Sequence, residues 1–190
     1  MRRAIIGVVG GGSRHVANDS PVYLQAFEVG SAIARAGGVV LCGGGGGVMS
    51  AAAIGARLAG GHSIGVLPHA GPTDAEFAVQ TGMGDGRNYV NAYVSDAIIA
   101  LFGEAGTLSE IALAMKLERP VVYLGHWSFL NDAGLPRMPV AASPADAVDF
   151  AFAALGLSPG GRVTGAVKLP TIPDLTSDLS RLAAWVDALP

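Results

Sequence analysis

The stretch Leu101–Glu110 reads Leu-Phe-Gly-Glu-Ala-Gly-Thr-Leu-Ser-Glu and joins a glycine turn to a hydroxyl and a carboxylate. It closes a short apolar run and opens a helical pattern. Gly103, Ala105 and Gly106 let backbone approach a ligand closely, and Thr107 and Glu110 begin the next helix. A turn of this kind aims several unpaired N–H groups, and the positive end of the helix dipole, at one point. The chemistry implied is anion binding, a phosphate above all. Glu104 places a carboxylate beside that anion.

Two more glycine loops hold the same strand-to-helix position. One is Gly10–Ser13, with Gly12 and Ser13 as ligand candidates; the other is the run Gly43, Gly44, Gly45, Gly46 and Gly47. A packing turn needs one or two glycines, and each further one costs roughly 0.5–1 kcal/mol of backbone entropy. Something is therefore expected to lie against that backbone. Neither loop completes G-x-G-x-x-G, and neither runs into G-K-[ST], which excludes a Walker P-loop. The lysines, Lys116 in a helix and Lys168 near the end, offer no obvious Schiff-base residue.

Structural roles compete for the same residues. Thr107-x-x-Glu110 has the form of a capping box, a pattern repeated at Thr73-x-x-Glu76 and, more loosely, at Ser143-x-x-Asp146. Arg87 alone reads as a solvated residue at a helix start; Asn88 is a ligand-binding candidate that competes with a turn amide, and Asp96 a candidate for support behind the ligand contacts that competes with a helix-end carboxylate. His15, His62, His69 and His126 lack metal-ligand spacing, and no metal site is expected. The single cysteine, Cys42, excludes an internal disulfide and reads as a small buried residue.

The elements that must position these groups alternate. Strands are expected at 4–9, 39–42, 63–67, 96–101 and 120–123, with an additional one at 138–141. Helices are expected at 21–36, with Ser20 as N-cap, and at 48–58, 87–94, 107–117 and 143–155. Residues 68–86 read as irregular. Strands separated by helices imply βαβ units and an α/β, Rossmann-like, three-layer fold with a mostly parallel sheet and helices on both faces. Residues 1–158 form one domain in this reading. The remaining 159–190 form a tail whose amphipathic segment 175–189 packs on the domain or on a partner subunit.

Composition agrees. The 190 residues are 51% apolar and 14% charged with 28 glycines, as expected for strands buried on both faces and closely packed helices. A net charge of −3 gives no basic footprint for nucleic acid. No apolar stretch approaches the roughly 20 residues needed to cross a bilayer, and the short apolar start is broken by glycines. A soluble, cytoplasmic protein without membrane or nucleic-acid partners is expected.

The segments Gly43–Ala56 and Arg87 through Gly106-Thr107-Leu-Ser-Glu110 resemble the LOG-like (SLOG) Rossmannoid superfamily over residues 4–125. Its best-known members are cytokinin-activating nucleoside 5′-monophosphate phosphoribohydrolases, and some relatives carry the label lysine decarboxylase. Their pattern is a glycine-rich loop, then an Arg, then P-G-G-x-G-T-x-x-E. Arg87 and Glu110 stand at the separation it requires. The resemblance implies that Gly103, Gly106 and Thr107 cradle a 5′-phosphate, that Arg87 orients the nucleotide and that Glu110 acts at the N-glycosidic bond. Phe102-Gly103-Glu104 replaces Pro-Gly-Gly, and Asn88 replaces a Lys. This version is similar to a sister branch that includes molybdenum-cofactor carrier proteins. The resemblance thus implies a binder of a phosphorylated, nucleotide-like or pterin-type ligand, with a bound nucleotide or molybdenum cofactor as its cofactor-like occupant. The alternative is an AMP-cleaving phosphoribohydrolase. It also implies a homo-oligomer, a dimer or a dimer of dimers.

Overall fold

The computed structural model describes residues 2–125, 138–158 and 161. The chain alternates β1 (Ile5–Val9), α1 (Pro21–Arg35), β2 (Val39–Cys42), α2 (Val48–Leu58), β3 (His62–Leu67) and β4 (Phe77–Gln80). A 3₁₀ turn at Gly84–Gly86 follows, then α3 (Arg87–Val94), β5 (Ala97–Ala100), α4 (Ala105–Lys116), β6 (Val121–Tyr123) and α5 (Pro144–Ala154). The strands form one sheet in the order β4-β3-β2-β1-β5-β6, every neighbouring pair parallel. One row across it runs Phe77, Ile64, Leu41, Gly7, Ile98 and Val121.

Helices cover both faces, giving the three-layer Rossmann-like α/β arrangement. Against one face, Ala26, Val29 and Ile33 of α1, Ala51, Ala52 and Ala56 of α2, and Val148 and Phe152 of α5 pack on Ile6, Val8, Val40 and Ile99. Against the other, Ala92 of α3 and Ile111 and Ala114 of α4 pack on Ile98, Ala100 and Val121. Each fully buried Ile, Val or Phe contributes about 1.5–3 kcal/mol. Helices α1 and α2 meet backbone to backbone. A Cβ on Gly30 would overlap the Ala52 carbonyl, and one on Gly55 the Phe27 carbonyl. The Ser31 hydroxyl adds a 3.0 Å hydrogen bond to the Gly55 carbonyl.

Local signals explain the helix ends. The Ser20 hydroxyl accepts from Tyr23 N and the Ser143 hydroxyl from Asp146 N, each preceding a proline at the first helical position. Asp96, buried at the start of β5, clasps the far end of the sheet. It accepts 2.6 Å bonds from Nη1 and Nη2 of Arg2 and a 2.8 Å bond from Ile5 N. Its role is structural.

Three expectations are corrected. Strand β4 lies inside the segment expected to be irregular; all four of its residues are exposed, so no burial pattern marked it, and backbone pairing with β3 makes it a strand. At 138–141 the described residues make a single bridge, Tyr123 to Val140, held by Tyr123 N donating to the Pro139 carbonyl and Ala141 N donating to the Tyr123 carbonyl. Helix α4 begins at Ala105, two residues before Thr107. The amphipathic segment expected at 175–189 lies outside the described residues.

Candidate functional site

Strand β1 is central, and the chain leaves it in both directions: β2, β3 and β4 on one side, β5 and β6 on the other. The loops after β1 and β5 therefore diverge and open a crevice at the carboxyl ends of the strands. Gly11 ties the walls together. Its N–H donates to the Phe102 carbonyl at 2.7 Å, and its carbonyl accepts from Val48 N, the first residue of α2, at 3.0 Å. The three glycine loops read from the sequence are thus one assembly.

Between the first and third loops lies a pocket of about 210 Å³. Gly10, Gly11 and Gly12 form one wall, Gly106 and Thr107 of α4 another, and Asp85, Arg87 and Glu110 line it further. The first α4 amide to bond back is Leu108 N, to the Glu104 carbonyl at 2.9 Å, and no side chain caps the helix. The N–H groups of Ala105, Gly106 and Thr107 consequently have no acceptor among the described residues. An anion in this pocket meets an uncapped helix N-terminus. Glu104, the residue in question as a repulsive neighbour, stands at the rim with its carboxylate 3.1 Å from His15 Nε2.

Glu110 is inside α4 and buried, so it is not a capping residue. Its Oε1 accepts from Asn91 Nδ2 at 2.6 Å and from Arg87 Nη1 at 3.2 Å; Oε2 accepts no hydrogen bond among the described residues. Burial pushes its carboxyl up to about 7, against the opposing pull of Asn91 and Arg87. Asn88, also buried, donates to Ser109 Oγ at 2.8 Å and more weakly to the Gly106 carbonyl, fastening α3 to the start of α4.

The five-glycine loop packs against the protein itself. The Cβ positions of Gly43, Gly44, Gly46 and Gly47 are taken by the Arg87 guanidinium, Leu67, Ser13 and the Gly11–Gly12 backbone respectively. Gly44 and Gly47 also have φ of 73° and 66°, which other residues resist. None of the five lines the α4 pocket. Gly43, Gly44 and Gly45 instead floor a second cavity of about 310 Å³, walled by Leu67, Pro68, Ala70 and Pro72. Arg87 lines both cavities. A smaller recess beyond it is bounded by Gly44, Gly45, Gly46 and Asp74. Cys42, just before the loop, is buried, which pushes its thiol up to about 11.

A family model described as the SLOG cluster4 family matches residues 3–147. The chain belongs to the SLOG cluster4 family. An uncharacterised protein of Archaeoglobus fulgidus is 36% identical over 153 residues, covering 79% of this chain and 95% of the relative. The molybdenum cofactor binding protein of Rippkaea orientalis superposes with TM-score 0.70 at 36% identity, over 78% of this chain and 95% of that one. The molybdenum cofactor carrier protein of Chlamydomonas reinhardtii gives TM-score 0.69 at 37% identity, over 77% and 94%.

In this SLOG cluster4 protein the crevice gathers Gly12, Arg87, Asn88, Glu104, Gly106, Thr107 and Glu110 from the sequence reading into one pocket. Ser13 lies against Gly46, and Gly103 lies under the Thr107 hydroxyl. Four lining or bracing residues were not read from the sequence: His15, Met49, Asp85 and Asn91. Asn91 had a signal, because it follows Arg87 by one helical turn and shares its face. His15 had none; only the folded β1–α1 turn brings it to Glu104. Among the described residues, no group of three or more His, Cys, Asp and Glu side chains is placed to hold a metal ion. No helix among them is long and apolar enough to cross a membrane.

Proposed function

We propose that this SLOG cluster4 chain binds a small phosphorylated ligand with a pterin or nucleotide-like ring, the molybdenum cofactor being the pterin form. The observation that carries this is the uncapped N-terminus of α4 opening into a pocket at the sheet's switch point. The three free amides of Ala105, Gly106 and Thr107 would receive the phosphate, and Arg87 supplies the nearby cation. The two solved relatives described as molybdenum cofactor proteins support the pterin form. The residues fit the organic part of that cofactor. They offer amides, a guanidinium and a glycine floor, and no cluster of metal-ligating side chains among those described. When bound, the cofactor would supply its metal chemistry elsewhere, as cargo. The α4 pocket alone is below the roughly 300–1,000 Å³ usual for ligand sites, and the second cavity, on the other side of Arg87, is at the lower edge of that range.

The test is thermal unfolding and titration calorimetry with a pterin phosphate, GMP and AMP. Saturable binding is expected, stabilising the fold by about 2.7 kcal/mol at a ligand concentration of 100 times Kd. If no phosphorylated pterin or nucleotide shifts the melting temperature, the proposal fails.

A second reading, a nucleoside 5′-monophosphate phosphoribohydrolase, is favoured by one observation: the Arg87–Glu110 pair sits in the pocket wall with the carboxyl titrating near neutrality. In that reaction water attacks the anomeric carbon as the C–N bond breaks, and a carboxylate stabilises the developing positive charge. Release of free base, abolished by Glu110→Gln, would establish it. No release across a panel of monophosphates would sink it.

A further inference from the structure

The α4 pocket is lined by the carboxyl groups of Asp85, Glu104 and Glu110 and by a single permanent cation, Arg87. A phosphate monoester arriving there adds about 1.5–2 further negative charges. Two of the three carboxylates tolerate it. Asp85 is exposed, and Glu104, also exposed, stands 3.1 Å from His15 Nε2 at the rim, so water screens both. Glu110 has no such protection. Its side chain is only 8% exposed, and it lies one helical turn after Thr107, beside it in the pocket wall. Its Oε1 already accepts from Asn91 Nδ2 and Arg87 Nη1, while Oε2 accepts no hydrogen bond among the described residues. The elements packed around it bring no second cation. Helix α3 carries Tyr89 and Tyr93 besides Arg87, and these stack on each other. Strand β2 brings the Cys42 thiol, pushed up to about 11 by burial; β5 brings no ionisable side chain; β6 brings Tyr123, pushed up to about 12.

Resting on the phosphorylated-ligand reading, we infer that Glu110 serves the ligand as a neutral hydrogen-bond donor, taking one proton from solvent as the phosphate binds. A buried carboxylate beside an incoming anion is the costliest of the three, and protonation removes the repulsion. The two donors on Oε1 leave Oε2 as the oxygen that takes the proton, and its O–H then donates to a phosphate oxygen. Apart from that O–H bond, no covalent bond forms or breaks. Burial prepares the exchange, since the carboxyl is already pushed up to about 7 with the pocket empty of anion. Affinity is therefore full below that value and is lost as pH rises above it, by about tenfold per pH unit for a single proton. The role is the opposite of the one in the hydrolase reading, where Glu110 works as an ionised carboxylate.

Calorimetric titration of the full chain with the pterin phosphate, GMP and AMP at pH 8, in buffers of different ionisation enthalpy, counts the protons taken up. The phosphates are dianions there, and close to one proton per ligand bound is expected. Glu110→Gln supplies the decisive comparison. Asn91 and Arg87 require an oxygen at the Oε1 position, so the amide NH₂ falls where Oε2 stood and donates without a proton from solvent. The variant should take up no proton, match the wild type at pH 6 and bind about tenfold more tightly than it at pH 8. Glu110→Ala, with no donor, should bind more weakly than either at pH 6 and show no pH dependence between pH 6 and pH 8. Binding by the wild type without proton uptake, uptake that persists in Glu110→Gln, or a Glu110→Gln affinity at pH 8 no higher than wild type would overturn the inference and leave the parent reading standing. The wild-type proton count decides by itself if a variant does not fold. If none of the three probes binds, the parent reading falls, and this inference with it.

Discussion

Gly43 and Arg87 share one volume. Where another residue would carry its Cβ, the Arg87 guanidinium lies, with Nη2 only 2.6 Å from that point. The glycine at the end of β2 is therefore what allows the arginine at the start of α3 to cross between the two cavities and reach Glu110.

Gly43→Ala is expected to expel the guanidinium and reproduce the ligand-binding loss of Arg87→Ala. The overpacked loop should cost about 1–3 kcal/mol of stability. Titration of both variants with GMP checks this; a Gly43→Ala chain that binds like wild type contradicts it.

Glu110 sets a pH dependence. Its folded carboxyl titrates at about 7 against 4.5 when unperturbed, so between those values the native chain holds a proton that the unfolded chain has released. The stability this gives is complete below the unfolded value and is lost as pH rises through about 7. Glu110→Gln should remove that decline and gain, relative to wild type, on the order of 1–3 kcal/mol by pH 8. Urea unfolding at pH 5 and pH 8 measures the difference, and parallel behaviour of the two chains would refute it.

Asp96 has the opposite character, a carboxylate with three donors remote from the pocket. Asp96→Ala should lower stability by about 1–3 kcal/mol through the orphaned Ile5 amide and the lost Arg2 pair. Ligand affinity should not change. A variant that loses binding while retaining its melting temperature would show that Asp96 serves the site.

Gly30→Ala drives a methyl into the Ala52 carbonyl and forces α1 off α2. A loss of about 1–3 kcal/mol is expected, larger than the few tenths to one that a helical Gly→Ala change normally gains. Chemical denaturation decides the sign.

Cys42, with its thiol pushed up to about 11 by burial, should resist iodoacetamide in the native chain and react only on unfolding. Rapid native labelling would mean the β2 end opens locally.

Periodicity and turn chemistry made most of the scaffold legible. The runs at β1, β2, β5 and β6 are continuous apolar segments because each is covered on both faces, and Ser20 and Ser143 announce their helices by capping. Strand β4 was not legible, since an exposed four-residue edge owes its conformation to its neighbour's backbone. At the site, the resemblance to the LOG-like pattern, with its fixed Arg-to-Glu separation, paired Arg87 with Glu110. The capping-box pattern at Thr107 misled, because it cannot tell where the helix begins: with the start at Ala105, Glu110 falls on the buried face.

The sequence by itself determined the βαβ order and the three glycine loops at strand ends. These are local properties of backbone freedom, burial period and capping. Only the tertiary structure decided what those loops touch. It packs Arg87, Leu67 and Ser13 against the five-glycine run. It also brought His15 to Glu104, Asn91 to Glu110 and Asp74 to the glycine floor. Such meetings depend on which strands become neighbours in the sheet, and no spacing along the chain encodes that.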